Sequence, residues 1–394
     1  MESEFFDFDK SFKIMTFALK FNRSHPSIKR DLKWMFHFGL MHGTYFAVFV
    51  TLVYSSISID LKNDDFTQAT ANGVLCLIFT VSTYKYCIIW YYQDLLLDVI
   101  KKINMDYEEA QCFTKEEKQI VHKFINKGRE VNKYWFILIV TTAFIFLAKS
   151  LGLMLYYTII DEFKLVHLYE MHYPKFLEDK KDTLSVFILL YIIFLFYDLY
   201  GALTYIGFEP FGPVLMLHSC GQLEIVRGRI LKIFQSNYTD AEIIEQLNDI
   251  AKYLQKILSF IESIKTSFKI LYELTLKATA ITIPITIYQI IQSLKKGELR
   301  IEFLTVIIAG VGLSTTPCYY SEMLMNAGKD LNQAIYECGW EKNFEPKSRK
   351  LIFLLLLRTS KSMAVRTIFV EVCLEALTDV YHMAYAISNL LNAK

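Results

Sequence analysis

The stretch LSVFILLYIIFLFYDLYGALTYIG, residues 184–207, decides the fold. It is apolar almost throughout and longer than the roughly 20 residues a helix needs to cross a hydrocarbon core of about 30 Å. Six more stretches of this kind lie at 34–57, 73–97, 134–158, 270–293, 301–325 and 364–392. In lipid every backbone N–H and C=O needs a partner inside the protein. These runs are too long and too evenly apolar for the alternating strands of a barrel. The expected fold is therefore all-α: a polytopic membrane protein with seven transmembrane helices and cytosolic helical extensions.

Charge in the connecting segments orients the helices. Lys and Arg number 7 in residues 1–33, 8 in 98–133, 7 in 218–269 and 8 in 326–366, whereas 58–72, 159–183 and 294–300 hold 1, 4 and 3. A bias of 30 against 8 puts the N-terminus in the cytosol and the C-terminus outside. The net charge of +1 gives no reason to expect nucleic acid as a partner. Residues 1–33 carry Glu2, Glu4, Asp7, Asp9 and Lys10 and no short apolar run, so the first span itself is expected to serve as the insertion signal. Cys76, Cys87, Cys318 and Cys373 fall in spans and Cys112, Cys220 and Cys338 in cytosolic segments, which argues against a disulfide framework.

Three cytosolic segments carry helical patterning. Thr114 and Glu117 form a capping-box pattern leading into the third span. Ile243, Leu247, Ile250, Leu254, Ile257, Ile261 and Ile264 recur at helical spacing, so the fifth span is expected to continue an amphipathic helix below the membrane. Pro346 stands at a helix entry, and the aliphatic run 351–357 is too short to cross a bilayer and should pack on protein. Gly207, Pro210, Gly212 and Pro213 predict a break after the fourth span.

The last span is unusual in its polarity. Glu371, Glu375, Asp379 and His382 fall on one face, which Ala386 and Asn389 continue, while the opposite side is apolar. Ionisable groups in a membrane are costly, so they should face protein or water. Two readings follow from the pattern: a water-lined cation path shared by several copies of the helix, or a polar network buried within one bundle. Zincin, Cys-x-x-Cys, P-loop and acyltransferase motifs are absent, which excludes the corresponding enzyme classes. No cofactor and no metal are expected; His167, Glu170 and His172 read as a solvated loop cluster. A G-protein-coupled chemoreceptor and a proton-coupled transporter are the rival functions. The first lacks its Asp-Arg-Tyr and Asn-Pro-x-x-Tyr signatures here and has the opposite orientation.

The C-terminal third resembles the insect odorant receptors. The resemblance rests on Tyr320-Ser-Glu322, on Ala334-Ile-Tyr336-Glu-Cys-Gly-Trp340, on Arg349 and Lys350 before the aliphatic run, and on Lys361-Ser-Met363. It continues through Phe369, Leu374-Glu375-Ala-Leu377-Thr378, Ala384-Tyr385 and Leu390-Leu391. Cys220-Gly-Gln-Leu223 is similar to moth members. Gustatory receptors are related, but their Thr-Tyr-x-x-x-x-x-Gln-Phe ending is absent. Glu371 and Asp379 depart from the family pattern, which carries smaller or uncharged groups at those positions.

The resemblance implies an odorant-tuning subunit of a ligand-gated, non-selective cation channel opened by a volatile odorant or pheromone. It implies a heterotetramer with a co-receptor subunit, passing monovalent and divalent cations, in the plasma membrane of olfactory sensory neurons. Residues 1–325 would hold the first six helices and the ligand pocket, 326–363 a cytosolic anchor with Tyr336 and Trp340, and 364–394 the pore helix. Pore-lining residues would be Glu371, Glu375, Asp379, His382 and Asn389, with Leu390 and Leu391 as the gate. The ligand site would lie in the outer half of the bundle. Its expected residues are Phe79, Thr83 and Tyr84, then Ser150, Met154 and Tyr157, then Tyr191, Phe194 and Tyr197, then Phe303 and Ile307. Lys85 and Lys149 also fall within spans, and Lys85 is expected to snorkel or to pair with a carboxylate.

Overall fold

A computed structural model describes residues 6–235, 238–297, 300–343 and 345–392. The helices in chain order are α1 (Phe8–Ser11), α2 (Lys13–Phe21), α3 (Leu32–Tyr54), α4 (Phe66–Tyr91), α5 (Gln93–Glu109), α6 (Lys115–Ile159) and α7 (Lys175–Glu178). They are followed by α8 (Leu184–Phe208), α9 (Phe211–Ile233), α10 (Asp240–Lys295), α11 (Ile301–Glu337), α12 (Pro346–Thr359) and α13 (Leu374–Asn392). Among the described residues the only extended pairing is an isolated bridge between Arg366 and Glu371. Among the described residues, six helical stretches are long and apolar enough to cross a membrane. The protein is all-α and multi-pass.

Capping boxes start the two longest helices. Glu117 N–H donates to Thr114 Oγ1 at 3.3 Å and Thr114 N–H to the Glu117 carboxylate at 3.0 Å. Thr239 and Glu242 repeat the arrangement at 3.4 and 2.8 Å. Each box satisfies two of the donors that a helix start leaves open. With 45 residues in α6 and 56 in α10, these helices are roughly 68 and 84 Å long at 1.5 Å per residue, far beyond the hydrocarbon thickness. Their surplus builds a second helical layer below the membrane. Every member of the Ile243 to Ile264 series named above is buried there.

The expected break after the fourth span is present. Helix α8 ends at Phe208, Glu209 and Pro210 form a turn, and α9 starts at Phe211. Helix α9 then runs almost wholly buried between α6, α10 and α11. Gly212 permits the approach of α10: a Cβ there would overlap the Tyr272 hydroxyl and come within 3.0 Å of the Phe268 ring.

Two spans differ from their expected limits. The second begins at Phe66 and ends at Tyr91, after which α5 turns off as a separate helix; the expectation was 73–97. The last begins at Leu374 and not at residue 364. Residues 365–372 instead close on themselves, with Val372 N–H donating to Val365 O and Thr367 N–H to Val370 O, both at 2.8 Å. The segment is apolar but β-branched, with Val365, Thr367, Ile368, Val370 and Val372. Such residues favour extended backbone over helix, and hydropathy alone does not separate the two. Glu371 consequently stands off the helix, 3.2 Å from Ser362 Oγ and 3.9 Å from Arg366 Nε. This corrects its assignment to the helical stripe.

Helix α12 packs by Ile352 and Leu355 on α10 and α11. Asn332 Nδ2 donates to Leu356 O at 3.0 Å and to Thr359 Oγ1 at 2.8 Å. Phe353, Leu354 and Leu357 on its other side are more than half exposed.

Candidate functional site

The helices α4, α6, α8, α10 and α11 surround a cavity of about 120 Å³ near the middle of the bundle. That volume is comparable with the roughly 150 Å³ apolar cavity that takes up a benzene-sized molecule. Leu75, Ile78 and Val81 contribute one wall, Ile139 and Phe146 a second, and Val306 and Leu313 a third. Burial of an apolar ligand against them contributes about 25 cal/mol per Å².

A shell of aromatic residues supports the outer end. Tyr45 stacks on Tyr197 with ring centroids 4.5 Å apart, and Phe79 stacks on Phe49 at 4.3 Å. Tyr169 meets Phe146, Phe194 and Tyr197 edge-on or tilted at 5.6 to 5.9 Å. Such pairs contribute about 0.5–1.5 kcal/mol each beyond simple burial. Tyr169 comes from the segment after the third span, read from sequence as a solvated outer loop. Instead Leu168, Tyr169, Met171 and Tyr173 are buried between the helices.

Polar contacts hold that segment in place. Ser150 Oγ donates to Val166 O at 2.8 Å, and His172 N–H donates to Ser55 Oγ at 2.8 Å. Arg300 Nη2 lies 3.1 Å and Lys149 Nζ 3.5 Å from Glu170. The Tyr169 hydroxyl donates to Asp198 in the cavity wall. His167 packs edge-on to Phe187 at 5.0 Å, with Nε2 3.3 Å from Asp182. Burial pushes its imidazole pKa down, and Asp182 offsets this only in part. The partial burial of Glu178 raises its carboxyl, but its hydrogen bonds to Lys181 and to Tyr173 N–H outweigh that and hold it below the usual range.

The tucked segment explains where the expected ligand residues lie. Among them Tyr197 lines the cavity. Phe79, Phe194 and Phe303 belong to the aromatic shell around it. Thr83 faces His42 at 3.3 Å, and Tyr84 donates to Ile270 O at 3.4 Å. Ser150 is engaged by Val166 O and by Tyr191, whose hydroxyl lies 3.3 Å away. Met154, Tyr157 and Ile307 are half-buried and outside the wall. The cavity lies about one to two turns deeper than the expected positions along α8 and α11 and about three turns deeper along α6, because side chains of the tucked segment fill the outer space.

Lys85 is fully buried and pairs with Glu209, with its ammonium 4.6 Å from the Tyr205 ring centroid. On α13, Ala376, Leu377, Val380 and Ala384 form a narrow buried seam against α10 and α11. Glu375, Asp379, His382, Asn389 and Leu390 are exposed on the remaining surface, and Leu391 is half-buried. Tyr381 Oη lies 3.0 Å from Thr315 Oγ1 and 3.3 Å from Ser314 Oγ on α11. Tyr336 is 65% exposed, and its carbonyl accepts from Trp340 Nε1 at 3.0 Å.

These features define a multi-pass helical membrane protein with an aromatic-walled cavity between its helices. A model of the 7tm odorant receptor family matches residues 65–385. The chain belongs to that family, and it is an odorant receptor and not an enzyme. No curated protein matches the sequence. The fold is similar to the structure of the insect olfactory receptor OR5 from Machilis hrabei in complex with eugenol, with a TM-score of 0.79 and 14% identity over 98% of both chains. A second structure of that receptor gives 0.77 and 13%, covering 98% of this chain and 97% of that one.

Proposed function

We propose that this receptor is the odorant-tuning subunit of a ligand-gated, non-selective cation channel, opened by a small volatile molecule held in the mid-bundle cavity. The observation that carries this reading is the cavity itself, largely apolar and of odorant size. The similar Machilis receptor was solved with eugenol, a ligand of the same general kind. The exposed acidic face of α13 supports a pore role. Among the described residues, Glu375 and Asp379 make no hydrogen bond or ion pair within the protomer. Ionised groups on a membrane helix need water or protein around them. Several α13 helices around an axis would supply that water and rings of carboxylate, with Leu390 and Leu391 as an apolar constriction. The exposed apolar side of α12 with Tyr336 and Trp340 would serve assembly with a co-receptor subunit, in the plasma membrane of olfactory sensory neurons.

Helix α11 offers a route between the two sites. Its residues Val306 to Leu313 line the cavity, and Ser314 and Thr315 immediately following hold Tyr381 of α13. A ligand that binds one arrangement of α11 better than another would bias α13. The test is odour-evoked cation current in cells expressing this chain with the co-receptor while G-protein signalling is blocked. Persistence of the current supports the channel, and its loss under the block rejects it in favour of a metabotropic receptor.

A further inference from the structure

We infer that this receptor selects small volatiles bearing a hydroxyl group, alcohols or phenols, through Asp198 and Tyr45 at the polar end of the cavity. The inference rests on the cavity being the odorant site.

Asp198 lies in the cavity wall on α8, deep within the bundle. A carboxyl group there is costly and calls for a functional explanation. One of its oxygens accepts from Tyr169, and no other donor reaches the group among the described residues. Tyr45 also lines the cavity. Its phenol is fully buried and makes no hydrogen bond among the described residues. It lies 3.4 Å from where a Cβ on Gly201 would stand, one turn along α8 from Asp198. An orphaned buried hydroxyl costs free energy that a ligand can recover.

Most other wall hydroxyls already donate. Tyr197 donates to Leu75 O, Tyr205 to Ile78 O, Thr142 to Leu138 O and Thr279 to Thr275 O. The unmet capacity is thus one acceptor and one phenol lining the same cavity. A ligand hydroxyl suits both at once, since its proton goes to Asp198 and its oxygen accepts from Tyr45. It also suits either protonation state of the carboxyl, donating to the ionised form or accepting from the neutral one. An ether offers no donor, and a hydrocarbon offers neither function.

The test compares primary alcohols of five to ten carbons and benzyl alcohol with their methyl ethers, by odour-evoked current in cells carrying this chain and the co-receptor. The wild type is expected to respond to alcohols at about tenfold lower concentration than to the matched ethers, the discrimination expected of a pair of buried hydrogen bonds. The pair Asp198→Leu with Tyr169→Phe removes the carboxyl without leaving Tyr169 orphaned, and should erase the difference while ether responses persist. Tyr45→Phe should narrow it, and decides the matter if the double variant is silent to every odour. Equal potency in the wild type, no response to any alcohol, or an unchanged ratio in the variants overturns the inference. Ala309→Phe, which fills the cavity, separates the two levels. If it leaves all odour responses intact, the cavity is not the odorant site. If it abolishes them while Asp198 and Tyr45 variants keep the ratio, only the hydroxyl preference falls.

Discussion

Lys85 and Glu209 form an ion pair inside the bundle, with the lysine fully buried. Removing one member of such a pair leaves an uncompensated charge and costs about 3–5 kcal/mol, whereas replacing both by apolar groups is often neutral. Lys85→Met should therefore sharply lower the melting temperature of the detergent-solubilised receptor, and Lys85→Met with Glu209→Leu should recover most of it. A single variant as stable as the wild type would mean that the pair contributes nothing. Lys85 was legible in the sequence as a lysine in need of a carboxylate; its partner was not, because Glu209 sits in the turn that the glycines and prolines predict. Asp198 carries the same signal, a lone acid in an otherwise apolar span, and could have been found by it. The depth of the cavity was not legible, since it is set by Tyr169 and its neighbours, whose aromatic character reads equally well as loop or core.

Among the elements, α13 is tied to α11 by Tyr381. Loss of that hydrogen bond, worth about 1 kcal/mol, should change the half-activating concentration about fivefold in Tyr381→Phe while the rank order of odorants stays fixed. A changed rank order would assign Tyr381 to tuning instead. Glu375→Gln and Asp379→Asn should alter relative cation permeability and leave odour ranking intact, as measured by reversal potentials under bi-ionic conditions. The tucked outer segment responds to acid. The His167 imidazole has a lowered pKa in the folded state, so its neutral form stabilises the segment above about pH 6.5. That contribution is lost as pH falls through the folded value, because a proton on Nδ1 would have no acceptor: this atom is buried without a partner. Hydrogen-exchange protection factors in residues 163–175, referred to the intrinsic rate at each pH, should fall between pH 7.5 and 5.5, and the fall should vanish in His167→Gln. The helices themselves were read correctly where caps and hydropathy agreed, as at Thr114 and Pro346. The reading failed at residues 364–373, where apolar β-branched side chains satisfy a span and a tight turn alike.

On the scale of the whole molecule, the alternating Lys and Arg content predicts cytosolic extensions for α6, α9 and α10 and an outer location for residues 160–183. A glycosylation sequon engineered at the exposed Asp179 should gain glycan, and one at the exposed Glu108 should not. The reverse pattern would invert the receptor. Of the natural sequons, Asn22 is buried and donates to Thr204 Oγ1 at 2.9 Å, so it should stay bare; Asn237 lies outside the described residues.

Membrane spans are held to their composition by lipid, packing and hydrogen bonding, but external loops ordinarily drift with little penalty. Here a piece of loop, through Tyr169, supplies part of the wall of the cavity proposed to hold the odorant. Substitutions at Tyr169 would reshape that surface from outside the spans. A lineage of such receptors could thus diversify its chemical preferences through a connecting segment as well as through its membrane helices.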